Sequence, residues 1–127
     1  DEAPTLQNDL LGVMRLLVGV DDKGAGDGIV ASFGLRLREL AVVSLDKAAE
    51  EVGKRRFDVV VLVEPKNTIQ GSQQVAAIGA KAKRVVVVST VADFARLPGV
   101  QGLVDPPKKA SDLVTVIEKV LADRARG

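Results

Sequence analysis

The sequence contains no cysteine and no histidine. Without cysteine there is no disulfide framework, no thiolate metal site and no thiol nucleophile. Without histidine the commonest general base and the commonest metal ligand are both missing, and serine–histidine chemistry is excluded. Tryptophan and tyrosine are absent too, and only three phenylalanines occur among 127 residues. Almost nothing is left to stack a nucleobase, which argues against readout of single-stranded RNA or DNA. An excess of one charge is also lacking: 18 Lys and Arg against 17 Asp and Glu leave a net +1. Bulk electrostatics therefore gives no reason to bind nucleic acid or an anionic membrane. No apolar run is long enough to span a bilayer. The stretch Leu10–Val20 is broken by Arg15, and its flanks do not suit a signal peptide. The expectation is a cytoplasmic protein that meets neither nucleic acid nor membrane. Any catalysis would have to rest on carboxylates, Lys, Arg, Ser or Thr.

What is present suits one ordinary folded domain. Hydrophobic residues make up 46% and charged residues 28%, and a chain of this length can bury a substantial core. Residues 1–13 read as a linker or N-terminal extension and 14–125 as the domain. An opening Asp1 in place of Met reads as a piece of something longer. No internal repeat or low-complexity tract occurs.

Short β-branched runs alternate with segments of helical period. Strands are expected at Met14–Val20, Ala41–Ser44, Asp58–Val63, Arg84–Ser89 and Gly102–Asp105. Helices are expected at Asp27–Leu40, with Ile29, Phe33, Leu37 and Leu40 on one face, and at Asp46–Lys54, Ser72–Lys81 and Ser111–Ala125. Between the fourth and fifth strands, Val91–Arg96 has room for one or two helical turns before Pro98-Gly99 stops it. Strands alternating with helices imply a parallel sheet covered on both faces, with working residues at the carboxyl ends of the strands.

At those ends the first strand offers Asp21-Asp22, two adjacent carboxylates suited to a hard cation such as Mg²⁺ or simply to a polar turn. The glycines at 24, 26 and 28 match neither a dinucleotide fingerprint nor a Walker loop, so Lys23–Gly28 reads as a flexible loop leading into a helix. The third strand ends at Val63-Glu64-Pro65, the fourth at Ser89-Thr90 and the fifth at Asp105-Pro106-Pro107-Lys108-Lys109. No activated nucleophile with a paired base emerges.

From about residue 14 to 122 these blocks resemble the receiver domain of two-component response regulators. The carriers are Leu17–Asp22, Phe57–Leu62, Ser89-Thr90, and Gly99–Val104 leading to Pro107. The resemblance implies an α/β, flavodoxin-like three-layer sandwich. Its five-stranded parallel sheet would run in the order 2-1-3-4-5, with the helix between strands four and five short or missing. It also implies roles. Two acids hold Mg²⁺, a third-strand Asp takes the phosphoryl group, a hydroxyl senses it and a lysine neutralises it. Asp21 and Asp22 match the acids, and Ser89 or Thr90 the hydroxyl.

The acceptor position, five residues after Asp58 and eight before Gly71, is Val63. A valine cannot form an acyl phosphate. A register slip of one would place Glu64 there, where its charge would imitate a permanent phosphoryl group. Pro106 stands in place of the lysine, and Leu103 in place of the switching aromatic. The Pro106–Pro107 bond is a candidate cis peptide, as the corresponding bond is in the family. These departures together read as a degenerate receiver, or pseudo-receiver; another flavodoxin-like domain is the alternative.

Three functional readings follow from the resemblance, none of them enzymatic. The first is a non-phosphorylatable interaction module of a two-component protein such as a hybrid histidine kinase or an atypical response regulator. It would dock on a partner protein or a neighbouring domain through Phe33, Leu37, Arg36 and Arg38, or through Leu103, Lys108, Lys109 and Val114. The second is a sensor in which Arg84, Arg96, Lys108 and Lys109 hold a cyclic dinucleotide or another phosphate-bearing ligand beside the fifth strand. The third is a localisation domain preceding a MinD-type ATPase. No cofactor is expected beyond a loosely held, vestigial Mg²⁺ at Asp21 and Asp22.

Overall fold

The computed structural model describes residues 12–126; the extension expected before residue 12 lies outside the described residues. Five strands form one wholly parallel sheet: β1 (Arg15–Gly19), β2 (Glu39–Val43), β3 (Val59–Val63), β4 (Val85–Val88) and β5 (Val100–Val104), in the spatial order β2-β1-β3-β4-β5. Among the described residues four α-helices cover it: α1 (Lys23–Phe33), α2 (Leu45–Lys54), α3 (Ile69–Gly79) and α4 (Leu113–Arg126). The connection from β4 to β5 carries a 3₁₀ segment, Ala92–Arg96, in place of an α-helix. The expected architecture, including that shortened connection, is what the chain adopts.

The alternation of side chains along each strand divides the core into two layers. Leu16, Val18, Val59, Val61, Val86 and Val88 face one way and meet Ile29 and Phe33 of α1 and Ile117 and Leu121 of α4. Leu17, Val60, Leu62, Val85 and Val87 face the other way and meet Ala48 and Val52 of α2, Val75 and Ile78 of α3, and Phe94. Both faces of the central strands are dry, which is why β3 and β4 read as unbroken aliphatic runs. Phe94 is 1% exposed. One buried ring thus anchors the 3₁₀ segment against the layer that a longer helix would otherwise cover.

Several boundaries differ from the sequence expectation. The segment Lys23–Gly28 is the start of α1, not a flexible loop. Three glycines in eleven helical residues are unfavourable by roughly 1 kcal/mol each. Asp22 offsets part of this by capping the helix. Gly26 is buried and closely approached: a Cβ there would lie 3.2 Å from Val42 Cγ1, which would have to give by a few tenths of an ångström. The helix also ends at Phe33, seven residues before Leu40. Eleven helical residues rise about 16 Å, close to the span of a five-residue strand, so the crossover is complete there. Leu37 is buried from the following turn, and Leu40 belongs to β2. β5 begins at Val100, two residues early, with an irregularity opposite Val85/Val86.

No cis peptide occurs among the described residues, so the expectation for Pro106–Pro107 is not met. An X–Pro bond favours trans unless its surroundings impose the other isomer, and here no lysine precedes the proline to be held in the site.

Candidate functional site

The carboxyl ends of β1, β3 and β5 meet over a cleft of about 200 Å³ lined by Val20, Asp22, Ala25, Val63, Glu64, Pro107, Lys108 and Leu113. Val63 is the last residue of β3 and pairs with Val88 of β4. It is half-buried and packs on the layer shared by α1 and α4. The ladder thus holds Val63 at the strand end, with Glu64 the first residue beyond it.

Glu64 nevertheless lines the same cleft. Its N–H donates to Val88 O at 2.8 Å, and its backbone turns to φ 50. It is the one non-glycine residue with positive φ among those described. A left-handed conformation costs an L-residue about 1–2 kcal/mol, and it turns the chain out of the sheet toward Pro65. The cleft therefore holds a hydrocarbon where the resemblance places a phosphoryl acceptor, with a carboxylate one residue further on.

The two acids of β1's end are each engaged in starting a helix. Asp22 Oδ1 accepts the Ala25 N–H at 2.9 Å and caps α1. Asp21 Oδ1 accepts the Leu45 N–H at 3.0 Å, across the sheet at the first turn of α2. Among the described residues no three acidic side chains converge on a point that could hold a metal ion. Each acid thus turns one carboxylate oxygen to the start of a different helix.

The hydroxyls look elsewhere. Ser89 is buried, and its Oγ accepts the Val91 N–H at 3.0 Å, closing the turn after β4. Thr90 is exposed just beyond it. Leu103 is half-buried in β5 and packs on the layer opposite Val63.

Pro106, the expected lysine position, is half-buried and absent from the cleft, whereas Lys108 lines it. The loop after β5 returns a lysine two residues later than the family pattern places it, so the cleft has a cation despite the motif's loss. The signal was in the sequence, as Lys108 follows the two prolines, but only the course of the loop brings it to the cleft that Glu64 and Asp22 also line.

The four candidate phosphate ligands do not come together. Lys108 and Lys109 lie after β5 at the carboxyl end of the sheet, and Arg84 precedes β4 at the opposite end. Arg96 is exposed on the 3₁₀ segment and pairs with Asp93 at 3.7 Å. The expected docking faces change as well. Phe33 and Leu37 are 0% and 8% exposed, so they are core and leave only Arg36 and Arg38 on that surface. Leu103 and Val114 pack on opposite faces of the sheet and share no surface.

A second hollow, which sequence reasoning did not resolve into residues, lies where the β4–β5 helix is missing. It measures about 470 Å³ and is lined by Asn67, Thr68, Ile69, Ser72, Gln73, Val91, Asp93 and Phe94. Thr68 caps α3 there, accepting the Gly71 N–H at 3.0 Å, and Ile69 is 79% exposed at its rim.

No family model matches the chain, and no curated protein is significantly similar to it. Among solved structures it is similar to the crystal structure of a response regulator receiver domain protein (CheY-like) from Methanospirillum hungatei JF-1. The TM-score is 0.63 over 90% of this chain and 98% of that one, at 15% sequence identity. At that identity the likeness is one of fold: the chain has the receiver-like, flavodoxin-type architecture.

Proposed function

We propose that this chain is a regulatory module with a receiver fold that takes no phosphoryl group and acts, without catalysis, through contact with a protein partner or a neighbouring domain in two-component signalling. Val63 carries the reading. A half-buried aliphatic side chain closes β3 where an acceptor carboxylate would have to stand, and the adjacent acids serve as helix caps. The hollow left by the absent β4–β5 helix, with exposed Ile69 at its rim, is the surface best suited to such contact. The test is incubation with acetyl phosphate and Mg²⁺ followed by intact-mass measurement. The expected mass is unchanged, and a chain heavier by one phosphoryl group sinks the proposal.

A second observation sharpens this reading. Glu64, Asp22 and Lys108 border one cleft, so a permanent carboxylate and a lysine line the cleft in which a phosphoryl group and its neutralising lysine would meet. On this view Glu64 holds the module in one constitutive state. Glu64→Gln should then alter partner affinity without altering the fold. The cyclic-dinucleotide reading loses its support with the dispersal of Arg84, Arg96, Lys108 and Lys109. A localisation domain beside a MinD-type ATPase remains the same kind of module with a different neighbour.

A further inference from the structure

The near-zero net charge conceals a basic pole. The amino-terminal edge of the sheet is where the turns after α1, α2 and α3 arrive, and they bring Arg38, Arg56, Lys81 and Lys83 together at one end of the molecule. All four are exposed, and none has an ion-pair partner among the described residues. Strands β2, β1, β3 and β4 are neighbours, so the turns feeding them form a row about 15 Å wide.

The acids at this end are already engaged. Glu39 pairs with Arg15 and Arg55, Glu51 pairs with Arg55 and Lys54, and Asp58 accepts the Arg15 N–H at 2.9 Å. Arg84 lies here too, half-buried in a shallow cleft that Asp123 also lines. At the tip of the same pole, in the turn between α1 and β2, Leu35 is 104% exposed, two and three residues from Leu37 and Arg38 and next to Arg36.

A fully exposed leucine at the same pole as four unpaired cations on separate loops suits a particular kind of partner. The cations line no single groove, and the protein has no Trp or Tyr, while its three Phe are all buried. The aromatic anchors that concentrate binding energy in protein interfaces are therefore missing from this pole. Stacking on nucleobases is missing for the same reason. A fluid anionic surface needs neither, because its headgroups move to meet scattered charges and its interior accepts an apolar tip.

We infer that this pole docks peripherally on an anionic lipid bilayer, with Arg38, Arg56, Lys81 and Lys83 against the headgroups and Leu35 inserted among them. The inference is independent of the reading of the Val63 cleft at the other end of the sheet. The whole-chain charge that argued against a membrane averages over this pole.

The experiment is co-sedimentation of the 127-residue chain with phosphatidylcholine vesicles, with and without phosphatidylserine. Binding is expected only where phosphatidylserine is present, and it should weaken with salt. Arg56→Glu and Lys83→Glu should each reduce affinity by at least about fivefold. Leu35→Ser, at a site whose exposure spares the fold, should reduce it by a factor of about five or more. Lys47→Glu makes the same change in net charge from the first turn of α2, at the opposite end, and should leave binding unaltered. No binding to phosphatidylserine vesicles overturns the inference. So does equal weakening by Lys47→Glu, or binding of duplex DNA by a chain that ignores the vesicles.

Discussion

Asp21 and Leu45 are joined across the carboxyl end of the sheet, the carboxylate of one accepting the backbone N–H of the other at 3.0 Å. The bond ties the end of β1 to the start of α2, whose own cap residue Ser44 makes no side-chain hydrogen bond. Asp21 does for α2 what Asp22 does for α1, from a position remote in sequence. Asp21→Ala should lower unfolding free energy by about 1 kcal/mol, the ordinary value of a lost helix cap. Asp21→Asn, which keeps an acceptor oxygen, should cost less than half as much. Urea denaturation reads both. Added Mg²⁺ should move neither midpoint, and a Mg²⁺-dependent rise in the parent that Asp21→Asn abolishes would mean the carboxylate serves a cation.

Val63→Asp restores the residue type that the receiver resemblance calls for. The side chain would replace aliphatic contact with the α1/α4 layer by a half-buried carboxylate. Desolvating it should cost about 1–3 kcal/mol. The expected result is a protein that still folds, with a lower urea midpoint. A variant as stable as the parent would show that the strand end is more solvated than its packing indicates.

Glu64 occupies the left-handed region at φ 50. Glu64→Gly removes the Cβ that makes this conformation costly, at the expense of greater freedom in the unfolded chain. The net effect should be a gain of up to about 1 kcal/mol, visible as a raised thermal midpoint. Glu64→Val, β-branched at the same φ, should be destabilising by more than that.

Gly99 sits at φ 85 in the turn before β5, against the end of α3. A Cβ there would fall within 2.4 Å of Gly79 O, which is backbone and has nowhere to go. Gly99→Ala should therefore cost upwards of about 2 kcal/mol. Hydrogen exchange should show the loss concentrated in β5 and the 3₁₀ segment, whose path depends on that close approach.

At the last turn of α2, Lys54 and Glu50 pair at 2.9 Å on the exposed face. The hydrogen bond from Lys54, and then its charge, hold the Glu50 carboxyl below its ordinary value, and Glu50 in turn raises Lys54. Because the folded-state value of Glu50 is lowered, the pair's contribution is present above the unfolded value and is lost as pH falls through the folded one. Carboxyl NMR titration should place the Glu50 midpoint below that of an unstructured glutamate. Lys54→Ala should return it upward. An unshifted Glu50 in the parent would show that the pair does not persist in solution.

The strands were the most legible part of the fold. Runs such as Val59–Val63 and Val85–Val88 allow little else, because β-branched residues in unbroken sequence need apolar cover on both faces. The missing β4–β5 helix could be read from the short spacing between Thr90 and Gly99. The start of α1 could not, since three glycines argue for a loop until the Asp22 cap and the close approach of Gly26 to Val42 are seen. Leu37 and Leu40 extended the helical period only by coincidence, one filling a turn and the other opening the next strand's pattern.

The order of residues was enough to decide the layered α/β architecture, because alternation along a strand is a local property. It could not decide where separate loops converge. Lys108 and Glu64 on one cleft, Arg84 at the far end from Lys108, and four unpaired cations at the same pole as Leu35 are consequences of parallel strands all starting at one end of the sheet and finishing at the other. Net charge is a sum over the sequence, but a surface potential is a sum over distances, and only the folded chain supplies those.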